Sequence, residues 1–129
     1  MPQTVSWSAA VSVFSHDERV EADGGSFCIH EWRGSGPPQV HVHDEDDEAW
    51  HVLEGTLRFR LGERTVDAGA GATVFVPARV PHTYEALPGS RYLIMLTPRL
   101  RRLIAELQEN RDPGAQAGIY EKHRSRLLS

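Results

Sequence analysis

The sequence is poor in cysteine and has no long apolar run. Cys28 is the only cysteine among 129 residues, so the chain forms neither an internal disulfide nor a zinc site built from several thiolates. Any metal must be held by histidines and carboxylates, and a reducing, cytoplasmic location is expected. The segment Pro2–Ser15 lacks the basic start of an export leader, and the most apolar later stretch, residues 93–96, is too short to span a membrane. We expect no membrane partner.

Basic residues are scarce in the first part of the chain. Positions 1–90 contain 6 Lys and Arg against 14 Asp and Glu, whereas positions 91–129 contain 8 against 4, for a net charge of −4. The basic residues of the second part alternate with Leu and Ile at helical spacing, which is typical of a solvated helix face. A nucleic-acid partner is therefore not expected.

Short apolar or alternating segments separated by glycine-rich turns fill residues 11–97. This pattern predicts an all-β sandwich or barrel. After residue 97 the period changes, because Leu100, Leu103, Ile104 and Leu107 recur at helical spacing. We predict a single domain over 1–129, with a barrel at about 11–97 and a helical extension at about 98–128. Its second helix is predicted from about residue 115 to 128, and the helices are expected to pack outside the barrel or across a partner subunit.

Two histidines separated by one residue form the most informative local pattern. In an extended strand, alternate side chains point to the same face, so His41 and His43 present their imidazoles together at about 6–7 Å along the backbone. A nearby carboxylate and a third imidazole from a returning strand, His82, complete a nitrogen and oxygen set that suits first-row transition metals. Calcium and magnesium prefer oxygen ligands and fit it poorly.

The carboxylate is expected to be Glu48, the last member of an acidic run. The alternation over residues 48–52 points Glu48 and Trp50 inward and His51 outward. Asp47 or Glu45 replaces Glu48 as the ligand if the turn is wound differently. The first four acidic residues of the run are otherwise read as a solvated loop.

Two motifs in this order resemble the conserved barrel motifs of the cupin family. They are Gly36-x4-His41-x-His43-x4-Glu48-x6-Gly55 and Gly71-x5-Pro77-x4-His82, with 15 residues between Gly55 and Gly71. The resemblance covers residues 36 to 86, and small single-domain cupins of the quercetin dioxygenase-like group would have the same flanking strands and tail. The chain departs from the family pattern at three positions. Ser35 stands where a glycine is expected, Arg79 stands where the family often has glycine, and Ala86 stands where it often has asparagine.

The resemblance implies a double-stranded β-helix, or jelly-roll barrel, with a metal near one mouth. The family's ligands carry over to His41, His43, Glu48 and His82. Such a set leaves open positions around one divalent ion, as in catalytic sites. Iron is favoured by the likeness to other His and carboxylate oxygenase sites, while Mn, Ni, Cu and Zn remain alternatives.

Three aromatic residues on inward strand positions are candidates for a substrate pocket. Trp50, Phe59 and Tyr84 form either a wall that stacks a planar substrate or simply part of the core. Tyr84 shares a strand face with His82 and is the candidate hydrogen-bond donor or acid. Glu48 is the second candidate catalytic residue, as a ligand or a proton acceptor.

The resemblance favours a dioxygenase-like oxidoreductase that acts on a small oxygenated or enolic substrate. With a redox-inert ion the same site would support isomerase, cyclase or lyase chemistry. A third hypothesis is a non-catalytic module that binds a small molecule. A homodimer is expected from the family.

Overall fold

The computed structural model describes residues 11–128. The predicted absence of an export leader rests mostly on residues 2–10, which lie outside this range. Within it, the elements in chain order are β1 (Glu21–Asp23), β2 (Cys28–Trp32), β3 (His41–His43), β4 (Glu48–Glu54), β5 (Thr56–Leu61), β6 (Arg64–Gly69), β7 (Thr73–Val76), β8 (His82–Ala86), β9 (Arg91–Leu96), α1 (Pro98–Glu109), a 3₁₀ turn (Pro113–Ala115), α2 (Gln116–Lys122) and β10 (Ser125–Leu127). None of the helices in residues 11–128 has the length and apolar character of a membrane span.

The ten strands form two antiparallel five-stranded sheets that face each other. The strand order is β1-β2-β9-β4-β7 in the first sheet and β10-β3-β8-β5-β6 in the second. The two sheets make a double-stranded β-helix, which confirms the predicted fold class. The first strand begins at Glu21, later than the expected start near residue 11.

The core follows the alternation of the strands. In β4 the side chains of Glu48, Trp50 and Val52 are buried, as predicted, and His51 points to the other face, where its Nδ1 lies 2.7 Å from Thr73 Oγ1. Apolar residues of β5 and β9 fill the space between the sheets in the same way. Inward positions of a barrel this small are filled by side chains, which leaves room for a site only near a mouth.

The end of the chain departs from the predicted helix. Helix α2 stops at Lys122, and Arg124 adopts a left-handed conformation with φ of 57°. The chain then reverses, and Ser125–Leu127 pairs in antiparallel register with β3, so that Ser125 lies opposite His43. The prediction of one helix to residue 128 was wrong here, because strand pairing with β3 outweighs a weak local helical pattern.

Helix α1 begins where the sequence predicts and closes the barrel mouth. The Thr97 hydroxyl caps it by accepting a hydrogen bond from the Leu100 backbone N–H. Leu100 and Leu103 on its apolar face are almost completely buried and pack on the core of the barrel. The helix therefore packs over one end of the barrel rather than along its outer wall.

One departure from the family motif carries backbone strain. Arg79 has φ of 75°, a region in which glycine is unstrained and other residues are not. Its backbone N–H donates to the His43 carbonyl at 2.7 Å, which holds the conformation in place.

We expect Arg79→Gly to be more stable than Arg79→Ala by about 1 kcal/mol, because only alanine keeps the strain. Urea unfolding of the two variants measures the difference, and an Ala variant as stable as the Gly variant would refute it.

Candidate metal centre

Three histidines converge at the mouth that α1 covers. His41 and His43 lie on β3, and His82 starts β8 directly opposite His41 in the strand register. The ring centroids are 4.4 Å apart for His41 and His82, 5.0 Å for His41 and His43, and 5.1 Å for His43 and His82. One nitrogen from each ring lies within 4.8 Å of the others, so the three histidines are close enough to hold a metal ion.

The opposite nitrogen of each ring is fixed by a hydrogen bond. Nδ1 of His41 lies 3.0 Å from the Gln39 carbonyl, and Nδ1 of His82 lies 3.0 Å from the Val80 carbonyl. A carbonyl oxygen can only accept, so both Nδ1 atoms carry the proton. In the neutral rings, Nε2 of His41 and His82 is then an unprotonated nitrogen with its lone pair free for a ligand role.

His43 is held by the strand that the sequence did not predict. Its Nδ1 lies 2.7 Å from Ser125 Oγ on β10. The Ser125 hydroxyl faces the His123 carbonyl at 3.4 Å, so it can donate there and accept from His43. This arrangement also favours the proton on Nδ1 and leaves Nε2 of His43 for the centre.

Glu48 supplies negative charge at the same point. Its Oε1 lies 3.2 Å from His43 Nε2 and 3.4 Å from His82 Nε2, and the side chain is only 6% exposed. Burial would raise the pKa of this carboxyl, but His43 and His82, which donate hydrogen bonds and carry positive charge when their rings are doubly protonated, outweigh it and lower the pKa to about 2. Glu48 is therefore a buried carboxylate in contact with two of the three imidazoles.

The electrostatics of the cluster keep His41 uncharged. Burial, followed by the neighbouring imidazoles of His82 and His43, lowers the pKa of His41 from 6.5 to about 4. The neutral imidazole is the form that binds a metal.

A small cavity, the inner cavity, adjoins this cluster. It has a volume of about 30 Å³ and is lined by His41, His43, Glu48, Trp50 and Tyr120 together with Tyr84, Pro37 and apolar residues of α1. In residues 11–128, the buried side-chain polar atoms without a hydrogen-bond partner are Trp50 Nε1, His82 Nε2 and the Tyr120 hydroxyl. All three belong to residues at the cluster.

The donor set fits a metal ion. With Nδ1 protonated, Nε2 of neutral His82 and Oε1 of Glu48 are two electron-rich atoms 3.4 Å apart, and they repel unless a positive charge lies between them. A divalent ion shared by the three Nε2 atoms and the carboxylate removes this repulsion and gives His82 Nε2 a partner.

The three aromatic residues predicted to form a substrate pocket differ in whether they line a cavity. Trp50 lines the inner cavity, whereas Tyr84 lines both it and a larger neighbouring cavity, described below. Phe59 is fully buried and stacks on Tyr84 at 5.3 Å between ring centroids, and it is not among the residues that line either cavity. The Tyr84 hydroxyl is hydrogen-bonded to Tyr92 at 2.9 Å.

The alternative carboxylates are engaged elsewhere. Asp47 accepts a hydrogen bond from the Ala78 backbone at 2.9 Å. Glu45 forms ion pairs with Arg99 and Arg124, both at 2.9 Å. Glu48 is thus the member of the acidic run that reaches the histidines.

Two residues of the site were missed from the sequence. Tyr120 on α2 is 1% exposed, and its ring lies 5.4 Å from that of His41. Ser125 is fully buried against His43. Tyr120 lay within the predicted second helix with nothing to mark it as a site residue, and Ser125 carried no local signal, because its partner is 82 positions away.

A second group of metal-binding residue types does not form a comparable site. Asp23, Cys28 and His30 lie together on the β1–β2 hairpin. The Arg101 guanidinium contacts Asp23 at 2.7 Å, so a cation already neutralises the carboxylate. Burial raises the pKa of the Cys28 thiol, which disfavours the thiolate that a metal would need.

All three tyrosines of the chain should resist ionisation while it is folded. Burial raises the pKa of Tyr92 from 10.0 to about 12 and also raises the pKa of Tyr84 and Tyr120. Between pH 10 and 12 the unfolded chain loses phenol protons that the folded chain keeps, so stability falls as pH rises. We expect tyrosinate absorbance at about 295 nm to appear in one step with unfolding, whereas the urea-unfolded chain titrates near its usual pKa. A gradual rise near pH 10 in the folded protein would contradict this.

Comparisons with known proteins identify the family. The model of the Cupin domain family matches residues 29–97, more than half of the chain. A search of curated proteins finds no match.

Among solved structures, a protein from Neisseria meningitidis has a TM-score of 0.52 at 17% identity, with 74% of this chain and 99% of that chain covered. KdgF from a Halomonas species has a TM-score of 0.51 at 19% identity, with 63% and 79% covered. A cupin protein from Bacteroides fragilis has a TM-score of 0.50 at 21% identity, with 67% and 81% covered. At these identities the likeness concerns the fold, and the family match shows that the chain belongs to the cupin family.

Proposed function

We propose that this cupin is a metal-dependent, dioxygenase-like oxidoreductase of the quercetin dioxygenase-like group, acting on a small oxygenated or enolic molecule. The observation that carries the proposal is the set of imidazole Nε2 atoms that face one carboxylate oxygen, with Glu48 Oε1 at 3.2 and 3.4 Å from two of them. His41, His43, His82 and Glu48 would hold one divalent ion. Iron is the proposed ion, with Mn, Ni, Cu or Zn as alternatives.

A bound divalent ion would supply Lewis acidity and, in the case of iron, one-electron chemistry with dioxygen. The protein's own contribution is to hold the ligands in place. The Gln39 and Val80 carbonyls and the Ser125 hydroxyl fix the three rings through Nδ1. Helix α1 covers the mouth with Leu100 and Leu103 and excludes bulk water from the inner cavity.

Tyr120 is placed to bind the substrate. Its hydroxyl is buried, has no hydrogen-bond partner in residues 11–128, and belongs to the wall of the inner cavity. A phenol in this position can donate a hydrogen bond to a substrate oxygen and stabilise negative charge that develops there. Tyr84 and Trp50 orient the same part of the substrate, and the Tyr84 phenol stays protonated because burial raises its pKa.

The test is elemental analysis of protein purified without chelator, followed by oxygen uptake with flavonols and diketones. We expect about one equivalent of iron and substrate-dependent uptake, and Tyr120→Phe should lower uptake by about 10-fold or more with unchanged metal content. Stoichiometric zinc without uptake would overturn the oxidoreductase in favour of isomerase, cyclase or lyase chemistry. The absence of stoichiometric metal would favour the binding module.

We also propose that the protein acts as a cytoplasmic homodimer without a nucleic-acid or membrane partner. An apolar row crosses four strands of the first sheet in register, formed by Ile29, Met95, Ala49 and Phe75. Phe75 is 62% exposed on the edge strand β7. Such a row supports a contact between two copies.

A further inference from the structure

The cavity next to the inner cavity is large enough for a small organic molecule. This outer pocket has a volume of about 330 Å³ and lies between the segment 35–38 and the helices α1 and α2. Small-molecule sites in proteins begin at about this size. The inner cavity, at about 30 Å³, has room for only one or two atoms of water size.

The two cavities share a wall. Pro37, Tyr84, Ile104 and Leu107 line both of them. A ligand at the histidines has room for only a compact head in the inner cavity, so a larger body would lie in the outer pocket, on the other side of these four side chains. Gly36 packs directly against the Tyr84 part of this wall, because a Cβ there would lie 2.5 Å from Cε1 of Tyr84.

The side chains that line the outer pocket determine which kind of chemical group can bind there. Trp32, Ile94 and the shared wall give it aromatic and branched aliphatic surfaces. Two of its polar side chains are already engaged, because Ser35 Oγ accepts from the Ala86 backbone and Gln116 donates to the Asn110 carbonyl. An apolar or aromatic group is the complement of such a surface.

Among residues 11–128, Arg111 is the one charged residue that lines the outer pocket. Its side chain is exposed and forms no ion pair with any carboxylate of residues 11–128, and its Nε donates only a long hydrogen bond of 3.4 Å to the Gln108 carbonyl. Its Nη groups therefore remain available in a fork that matches a carboxylate. A cationic ligand would be repelled.

We propose that the outer pocket binds a small carboxylic acid with an aromatic or branched aliphatic body, and that Arg111 binds its carboxylate. If the proposed function is correct, the substrates of the oxidoreductase are apolar carboxylates. The assignment of a substrate class rests on the proposed function, whereas the carboxylate-binding site itself does not.

The experiment measures binding without turnover. Isothermal titration of the full chain, metal-free and zinc-loaded, compares trans-cinnamate with its neutral isostere cinnamamide. We expect cinnamate to bind at least about 10-fold more tightly than the amide, and Arg111→Gln to abolish this preference. The matched control is Arg102→Gln on α1, because Arg102 is an exposed arginine like Arg111 but does not line either cavity. Ile104→Trp should fill the pocket and weaken both ligands, with folding checked by circular dichroism.

Equal binding of cinnamate and cinnamamide, an unchanged preference in Arg111→Gln, or the same loss in Arg102→Gln would each overturn the proposal. The outcome is separable from that of the proposed function. An Arg111-dependent preference without oxygen uptake, measured with carboxylate-bearing diketones as well as the neutral compounds, defeats only the oxidoreductase, and oxygen uptake without that preference defeats only the carboxylate site.

Discussion

His82→Ala should lose its metal almost completely, with affinity reduced by more than about 100-fold, because removal of a direct ligand exceeds the loss known for supporting residues. His82 is 1% exposed, and its Nε2 is a buried atom without a hydrogen-bond partner in residues 11–128. The variant keeps β8, whose pairing with β5 does not involve the imidazole. Metal content by elemental analysis and affinity by competition with a chromophoric chelator measure the effect.

The matched control for this variant is His51→Ala. His51 lies on β4 only a few positions from Glu48, but it faces Thr73 on the outer side of the sheet. Its removal should leave metal affinity within about 2-fold of the native value, since it is not in contact with the cluster or with the residues that hold it. If both variants lose metal equally, or if His82→Ala keeps its full equivalent, the ligand assignment is wrong.

Ser125→Ala should lower metal affinity by about 10- to 100-fold. The hydroxyl is the partner of His43 Nδ1 at 2.7 Å, and without it this buried nitrogen has lost its acceptor and the ring can turn. The imidazole then supplies its Nε2 less often in the correct direction. Chelator competition with the native and variant proteins at the same pH gives the ratio directly.

Ser90→Ala separates this effect from a general loss of stability. Ser90 is as buried as a core residue, and its hydroxyl bonds the backbone of Thr56 and Leu87 far from the histidines. We expect it to lower the free energy of unfolding by about 1–3 kcal/mol while metal affinity stays unchanged. If Ser90→Ala weakens metal binding as much as Ser125→Ala, the Ser125 hydroxyl has no specific role.

The sequence was sufficient for the parts of the site that follow from local periodicity. The spacing of His41 and His43 placed both rings on one face of β3, and the alternation in β4 placed Glu48 inward and His51 outward. His82 was assigned to a returning strand, but nothing in the local pattern fixes that it lies directly opposite His41. The helix α1 followed from its period of apolar residues.

What the sequence could not supply depends on contacts between distant segments. The pattern of residues 115–128 is compatible with one helix and equally with a shorter helix followed by a reversal and a strand. The reversal occurs at Arg124, whose left-handed conformation is not signalled by a glycine. The role of Tyr120 depends on α2 docking over the mouth. Likewise, the alternation of a strand shows that an aromatic side chain points inward, but not whether it faces a cavity. Phe59 proved to lie in the packed interior behind Tyr84.

The pairing of β10 with β3 also has a consequence for synthesis on the ribosome. The strand that carries two of the histidines is only three residues long, and its second neighbour is made 82 residues after His43. Until Ser125–Leu127 emerges, β3 is an open edge with unpaired backbone groups, and the support for His43 does not exist. Nascent chains should therefore acquire the ion only late, after this segment has folded back, and prematurely terminated products should remain metal-poor and prone to edge-to-edge association.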